Sequence, residues 1–325
     1  MASAIAVTAC WLPRPERPRE TLHYEQRAVL LTISGVSVLV APDETSRLVS
    51  VGLRFNVGSA HDPPGKHGLA HFAEHLLFAL RPNGPEEPEL GTELSRVSLG
   101  YNAFTSYDWT HFTTYAYQSA LGDLLRIEAA WLSFRCDQLP EAAVERERDA
   151  VRNELREASN ESALNLVMAT VYPADHPYHH PIGGTEAEVS AITHADVCTF
   201  IDAYYTPERA ILVIAGDVTS DEVVMLAKER FAQLPSRPRG PDPKFPPVAW
   251  GGGPFRGETR VEHPTVVMAF PFPKEFAEER AAADVWVGLW ESELGEQVGK
   301  GTILSASIDV GGGAKAPILL ARATV

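Results

Sequence analysis

The sequence predicts an α+β fold: an antiparallel or mixed sheet packed by helices on one side, followed by a second, apparently incomplete α+β domain. Three observations carry this expectation. Strand-like stretches of alternating apolar residues dominate the region before residue 118, and helical periodicity dominates from there to about residue 205. A stretch with seven prolines and four glycines, Leu234 to Phe255, then separates this region from a shorter strand, helix, strand, strand pattern.

Taken in order, residues 1–25 hold Pro13, Pro15 and Pro18 and read as an irregular tail. Residues 28–33 and the alternating Val36, Val38 and Val40 flank a Ser34-Gly35 turn signal, which predicts a hairpin. From Arg47 to Gly58, Val49, Val51, Leu53, Phe55 and Val57 share one face of a strand, and Ser50, Gly52, Arg54 and Asn56 share the other. A helix is expected after Gly68, a short one at 90–98, and two strands at 101–106 and 110–117. Helices follow at 118–134, 140–159 and 161–171, then a loop at 172–185 and short helices at 186–192 and 194–205. Residues 211–218 are a buried-looking strand, and Thr219 with Glu222 opens a helix at 220–233. The expected domains are therefore a catalytic one at 26–233, a linker at 234–257 and a partial second domain at 258–325. Within the last, a helix at 275–294 is expected to carry Phe276, Val285, Trp286, Leu289 and Trp290 on one side, with Trp286 and Trp290 in a core or a subunit interface.

Composition narrows the function classes. Hydrophobic residues make up 45% and charged ones 22%, as in a soluble globular protein with a sizeable core. The net charge of -15 argues against nucleic acid as a partner, because phosphate binding needs a basic surface. No apolar run reaches the roughly 18 residues needed to span a membrane. The N-terminus lacks a basic residue ahead of its apolar stretch, so no secretory signal is expected. The three cysteines, Cys10, Cys136 and Cys198, are far apart and odd in number. Neither a disulfide framework nor a cysteine zinc site is expected from them, and free thiols fit a cytoplasmic location.

The chemistry-bearing stretch is Gly68 to Phe78, which contains His71-x-x-Glu74-His75. Two histidines four apart share a helix face, with Cβ atoms roughly 5–6 Å apart, so both imidazoles can reach one metal ion. Glu74 lies on nearly the same face, where a carboxylate can take a proton from water. A mononuclear zinc site needs a third protein ligand and an open position. The helix at 140–159 supplies Glu141, Glu145, Glu147, Glu154 and Glu157 as candidates. Glu147 and Glu154 are two turns apart and share a face, so one could ligate while the other steers a ligand or water. By itself, this helix with its interleaved arginines also fits a surface laced with salt bridges. His176, His179 and His180 cluster in a proline-rich loop and read as packed or exposed loop residues.

Several motifs in order resemble the pitrilysin family of zinc metallopeptidases, the inverzincins, in their short-subunit form. They are Gly-x-Ala-His-Phe-x-Glu-His-Leu-x-Phe at 68–78, Tyr101 to Ser106, Glu145 to Arg156, His176-Pro177-Tyr178, Pro181 to Thr185, Tyr204-Tyr205-Thr206-Pro207 and Ile214 to Val218. The resemblance implies that His71, His75 and Glu154 bind Zn2+. It implies Glu74 as general base and Glu147 as a second acidic residue. Asn102, Ala103, Phe104 and Thr105 would line the substrate cleft and pair with an extended peptide. It further implies endopeptidase activity on peptides or unfolded precursor segments, with a homologous subunit completing a chamber as homodimer or heterodimer. The alternative is a non-catalytic scaffold or binding subunit of such a pair.

Overall fold

The computed structural model describes residues 28–157, 161–237, 239–251, 255, 263–301 and 303–325. The expected tail at 1–25, Cys10 and parts of the expected linker lie outside the described residues.

The chain opens with a hairpin, β1 (Val29–Ile33) and β2 (Val36–Pro42). Ser34 and Gly35 both adopt positive φ, 49° and 91°, which matches the right-handed twist of the flanking strands. Next come β3 (Leu48–Phe55), helix α1 (Leu69–Phe78), α2 (Leu90–Val97), and strands β4 (Gly100–Thr105) and β5 (Thr110–Tyr117). Helices α3 (Leu121–Leu132), α4 (Glu141–Glu157), α5 (Glu161–Val171), α6 (Glu186–Ala191) and α7 (His194–Tyr204) follow. Strand β6 (Ala210–Gly216) and α8 (Ser220–Arg230) close this unit.

Its six strands form one sheet in the order β1-β2-β6-β3-β5-β4. Only the β2–β6 pair is parallel, so the sheet is mixed and mostly antiparallel. The face carrying Val49, Val51, Leu53 and Phe55 is fully buried, as the period-two pattern requires, and α1, α3 and α8 pack on the sheet. Among the described residues, strand β4 pairs with β5 alone and forms an edge of the sheet.

A second sheet, in the order β7-β9-β8, consists of β7 (Thr265–Pro271), β8 (Ser305–Gly311) and β9 (Ile318–Thr324), with α9 (Arg280–Gly299) packed against it. The loop after β8 docks on the first unit. There the backbone N–H of Ala314 donates to Asp108 at 2.6 Å, and the Tyr172 hydroxyl donates to the Ala316 carbonyl at 2.6 Å. Gly312 and Gly313 lie so close to the Tyr172 and Tyr178 rings that a Cβ at either would overlap them. The proline-rich stretch also lies along the first unit: Phe245 packs on His176 and Tyr178, and Arg209 reaches the Gly240 carbonyl at 2.7 Å.

Two expectations are corrected. The last helix starts at Arg280, and Phe276 sits before it, 95% exposed at φ 64°. Its sheet-facing stripe is Ala283, Val287, Trp290 and Leu294, whereas Val285, Trp286 and Leu289 face outward. The helix carries apolar residues on both sides, so periodicity could not choose which side meets the sheet. The cysteines are the second correction. Cys136 and Cys198 are not free thiols but form a disulfide, with Cα atoms 5.3 Å apart. Sequence separation hid the pair because tertiary packing joins the turn before α4 to the middle of α7.

Candidate metal centre

Helix α1 is held at both ends by residues outside it. Its N-terminus begins at Gly68, φ 91°, where no side chain of the capping residue is available. Asp62 supplies the missing acceptors: Oδ2 takes the Gly68 N–H at 2.7 Å and Oδ1 the Ala70 N–H at 2.8 Å. Gly68 packs directly on the Gly183 and Gly184 backbone, too close for a Cβ, which accounts for the glycine that opens α1. Gly184 has φ 70° and meets the His67 carbonyl in the same way. Also near this end the buried Tyr205 hydroxyl donates to Ala70 O at 3.2 Å, and at the other end the Trp131 indole donates to the Leu77 carbonyl at 2.8 Å.

Helix α4 is anchored by Arg148. This buried guanidinium donates to the carbonyls of Val189 and Ile192 at 2.7 and 2.6 Å and lies 5.5 Å from the Phe72 ring of α1. Thus α1 and α4 face each other with their chemistry inward. One ligand atom each from His71, His75 and Glu154 lies within 4.8 Å of the others. Glu154 Oε2 is 3.8 Å from His71 Nε2 and 3.4 Å from His75 Nε2. The two imidazoles meet edge to face with centroids 5.0 Å apart.

Three donors converging from two helices, with Glu154 half exposed, match the N/O set of an open zinc site. Burial, with the neighbouring His75, pushes the His71 pKa down to about 4, so this imidazole is neutral and able to ligate near pH 7. For His75, burial works against the charged form, but Glu147, Glu154 and Glu74 outweigh it and raise its pKa. Glu147 Oε2 lies 3.6 Å from His75 Nδ1. That contact favours the proton on Nδ1 and leaves Nε2 bare toward Glu154. The His75 contact and Arg146, whose Nε donates to Glu147 at 3.0 Å, hold the Glu147 carboxyl below its ordinary pKa.

Glu74 is buried, and burial raises its pKa although Thr105 and His75 pull the other way. The Thr105 hydroxyl donates to Glu74 Oε2 at 2.5 Å, which ties the helix carboxyl to the sheet edge. A cleft of about 440 Å³ runs between them, lined by Glu74, His75, Tyr101, Asn102, Ala103 and Glu147. Of the four residues expected to line it, Asn102 and Ala103 do so. Phe104 turns outward, 59% exposed against Trp109, and Thr105 reaches Glu74 instead.

Two family models match the chain: residues 37–186 fit "Insulinase (Peptidase family M16)" and residues 191–293 fit "Peptidase M16 inactive domain". The chain belongs to peptidase family M16. An uncharacterised zinc protease of Mycobacterium leprae is 32% identical over 257 residues, covering 77% of this chain and 57% of that protein. The beta subunit of the Bos taurus mitochondrial-processing peptidase is 30% identical over 212 residues, covering 64% of this chain and 42% of its own. The chain thus spans about half the length of these relatives. Among solved structures, a protease from Helicobacter pylori superposes with a TM-score of 0.80 at 24% identity, over 91% of this chain and 74% of that one. Pitrilysin gives 0.69 at 20% identity, over 90% of this chain and 33% of its own. These two likenesses show the shared fold. Zinc is the metal that goes with this M16 family, and the Mycobacterium leprae relative is named a zinc protease.

The histidines of the 176–180 loop do not converge on a metal. His176 stacks on Tyr172, His179 Nδ1 donates to the Tyr172 carbonyl at 2.8 Å, and His180 stacks on His67. Sequence reasoning did not single out Asp62, Trp131 or Arg148, since each acts across 6 to 76 residues of separation. An aspartate ahead of a glycine-started helix was the one signal that could have pointed to Asp62.

Proposed function

We propose that this chain is the catalytic part of a zinc endopeptidase that cleaves peptides or unfolded precursor segments. The observation that carries this is the convergence of His71, His75 and Glu154 beside Glu74, at a cleft bordered by the free edge of β4. His71 and His75 would hold zinc through Nε2, and Glu154 through a carboxylate oxygen. When bound, zinc lowers the pKa of a water and polarises a carbonyl.

Glu74 is the general base. Its raised pKa suits it to take a proton from the attacking water and return it to the leaving amine. Thr105 orients the carboxyl by donating to Oε2. Glu147 is a positioning residue that fixes the His75 tautomer. Asn102 to Thr105 offer unpaired backbone groups of the edge strand to an extended substrate, which would add as a further strand. We assign the rest of the chamber to a homologous subunit, a second copy or a related chain. The bovine relative is itself named as a subunit.

The test is zinc stoichiometry together with cleavage of a peptide library, in wild type and Glu74→Gln. The expected outcome is one zinc per chain at this site in both proteins and cleavage in wild type alone. Wild type that binds no zinc after reconstitution overturns the reading; zinc without cleavage, at any tested partner stoichiometry, favours a binding subunit. Light scattering reports the partner, and an active monomer refutes the chamber assignment.

A further inference from the structure

A second group of metal-ligating side chains lies apart from the one above: Cys136, His194 and Cys198. His194 and Cys198 are four apart on α7 and share a face, and Cys136 reaches them from the turn that leads into α4. His194 Nε2 lies 2.9 Å from the Leu139 carbonyl. A carbonyl can only accept, so Nε2 carries the hydrogen and the neutral ring keeps its lone pair on Nδ1. Nδ1 lies 3.7 Å from Cys198 Sγ and 3.9 Å from Cys136 Sγ, and Cys198 Sγ, 3.9 Å from Nε2, sits beside the ring, so a side-chain rotation that accompanies disulfide opening brings the lone pair onto both sulfurs. In a tetrahedral zinc site, with Zn–S near 2.3 Å and Zn–N near 2.0–2.1 Å, a sulfur and a nitrogen ligand stand about 3.6 Å apart. A ring N–H fixed on a backbone carbonyl, with the other nitrogen turned to the ligand set, is the usual arrangement of a metal-binding histidine.

We propose that Cys136, Cys198 and His194 form a redox-gated metal site: a disulfide in the oxidised chain, and a Cys2His site for a thiophilic divalent cation such as Zn2+ in the reduced chain. A dithiol reductant supplies two electrons and two protons. The Cys136–Cys198 bond breaks to two thiols, and the reductant closes to its own disulfide. Cation binding then displaces both thiol protons, and His194 binds through Nδ1 without losing one. Cys198 is buried and Cys136 exposed, so the fourth position opens to solvent. Thiolates select soft or borderline ions over Mg2+ and Ca2+. In either state the cluster ties α7 to the turn entering α4, the helix that carries Glu147 and Glu154.

The test is a cobalt titration of the full chain, oxidised and dithiol-reduced, after anaerobic removal of the reductant. Thiolate ligation gives cobalt a near-ultraviolet charge-transfer band that the His and Glu ligands of the first centre cannot produce. The expected result is one cobalt per chain and no band when oxidised, and a second cobalt with the band when reduced. Cys10→Ser should keep the band and Cys198→Ser should lose it. His194→Ala, which leaves the disulfide able to hold the oxidised fold, should weaken the second cobalt at least about tenfold after reduction. The proposal is overturned if the reduced wild type shows no band, if Cys10→Ser removes it, or if His194→Ala binds the second cobalt as tightly as wild type. A reduced chain that loses its fold and does not recover it with cobalt overturns it as well.

Discussion

Helices α1 and α9 make an instructive pair. The first has ten residues, seven of them buried, and both ends are tied down by Asp62 and Trp131. The second has twenty residues, none fully buried, and leaves Val285, Trp286 and Leu289 largely exposed. Both sequences are rich in apolar side chains. The difference is the number of surfaces that meet each helix: α1 is enclosed by the sheet, α2, α4 and α7, whereas α9 packs on one three-stranded sheet. Enclosure is what lets α1 present His71, Glu74 and His75 in fixed positions. Tightly packed neighbours restrict each rotamer, and a one-sided helix lacks that restraint.

The largest expected effect separates the two helices by stability. Phe72→Ala should cost about 3–5 kcal/mol, because the ring is fully buried beneath Arg148. Trp286→Ala on α9 should stay within about 0.5 kcal/mol, since it is 52% exposed. Chemical denaturation measures both, and equal losses would break the comparison.

Next in size is Glu147→Gln, which removes the anionic partner of His75 Nδ1 while keeping shape. Zinc affinity should fall roughly 10–100-fold with the fold intact. A competition titration with a chromophoric chelator reads this; unchanged affinity would mean that Glu147 does not position His75.

A smaller loss is expected for Asp62→Ala, which frees two N–H groups at the start of α1. Thermal unfolding should show a cost of about 1 kcal/mol, typical of a lost N-terminal cap. Asp62→Asn, able to accept one of the two bonds, should recover part of it.

The last effect appears only in acid and concerns the same turn. Burial, aided by Arg209, pushes the His61 pKa down to about 4, and its Nδ1 accepts the Gly58 N–H at 3.3 Å. The unfolded chain therefore takes up this proton before the folded one does. His61 leaves stability unchanged above its unfolded pKa of about 6.5 and lowers it as pH falls from there to about 4. His61→Gln should flatten that part of the stability-versus-pH curve; an identical curve would show that this histidine does not titrate on unfolding.

Much of this was open to sequence reasoning, and the limits follow a physical pattern. Strand β3 and helix α1 were legible because period-two and period-3.6 patterns are local properties of a chain that packs one face on a core. The candidate ligands were suggested by two local pairs, His71 with His75 and Glu147 with Glu154, and the likeness to a known family chose Glu154 as the third. Asn102 and Ala103 line the cleft beside Glu74, whereas the outward turn of Phe104 depends on its packing against Trp109.

What the sequence by itself determined, then, is the order of elements, the edge-strand and helix motifs and the chemical types brought to the site. The order of elements follows from side-chain periodicity and turn chemistry, and the edge strand and the choice of site residues from the likeness to a known family. Tertiary structure alone decided which apolar stripe of α9 meets the sheet, that Asp62 and Trp131 secure α1, and that Cys136 meets Cys198 and His194. Each of these depends on segments distant in the chain coming together. The spacing of residues along one segment holds no information about the surface that will cover it.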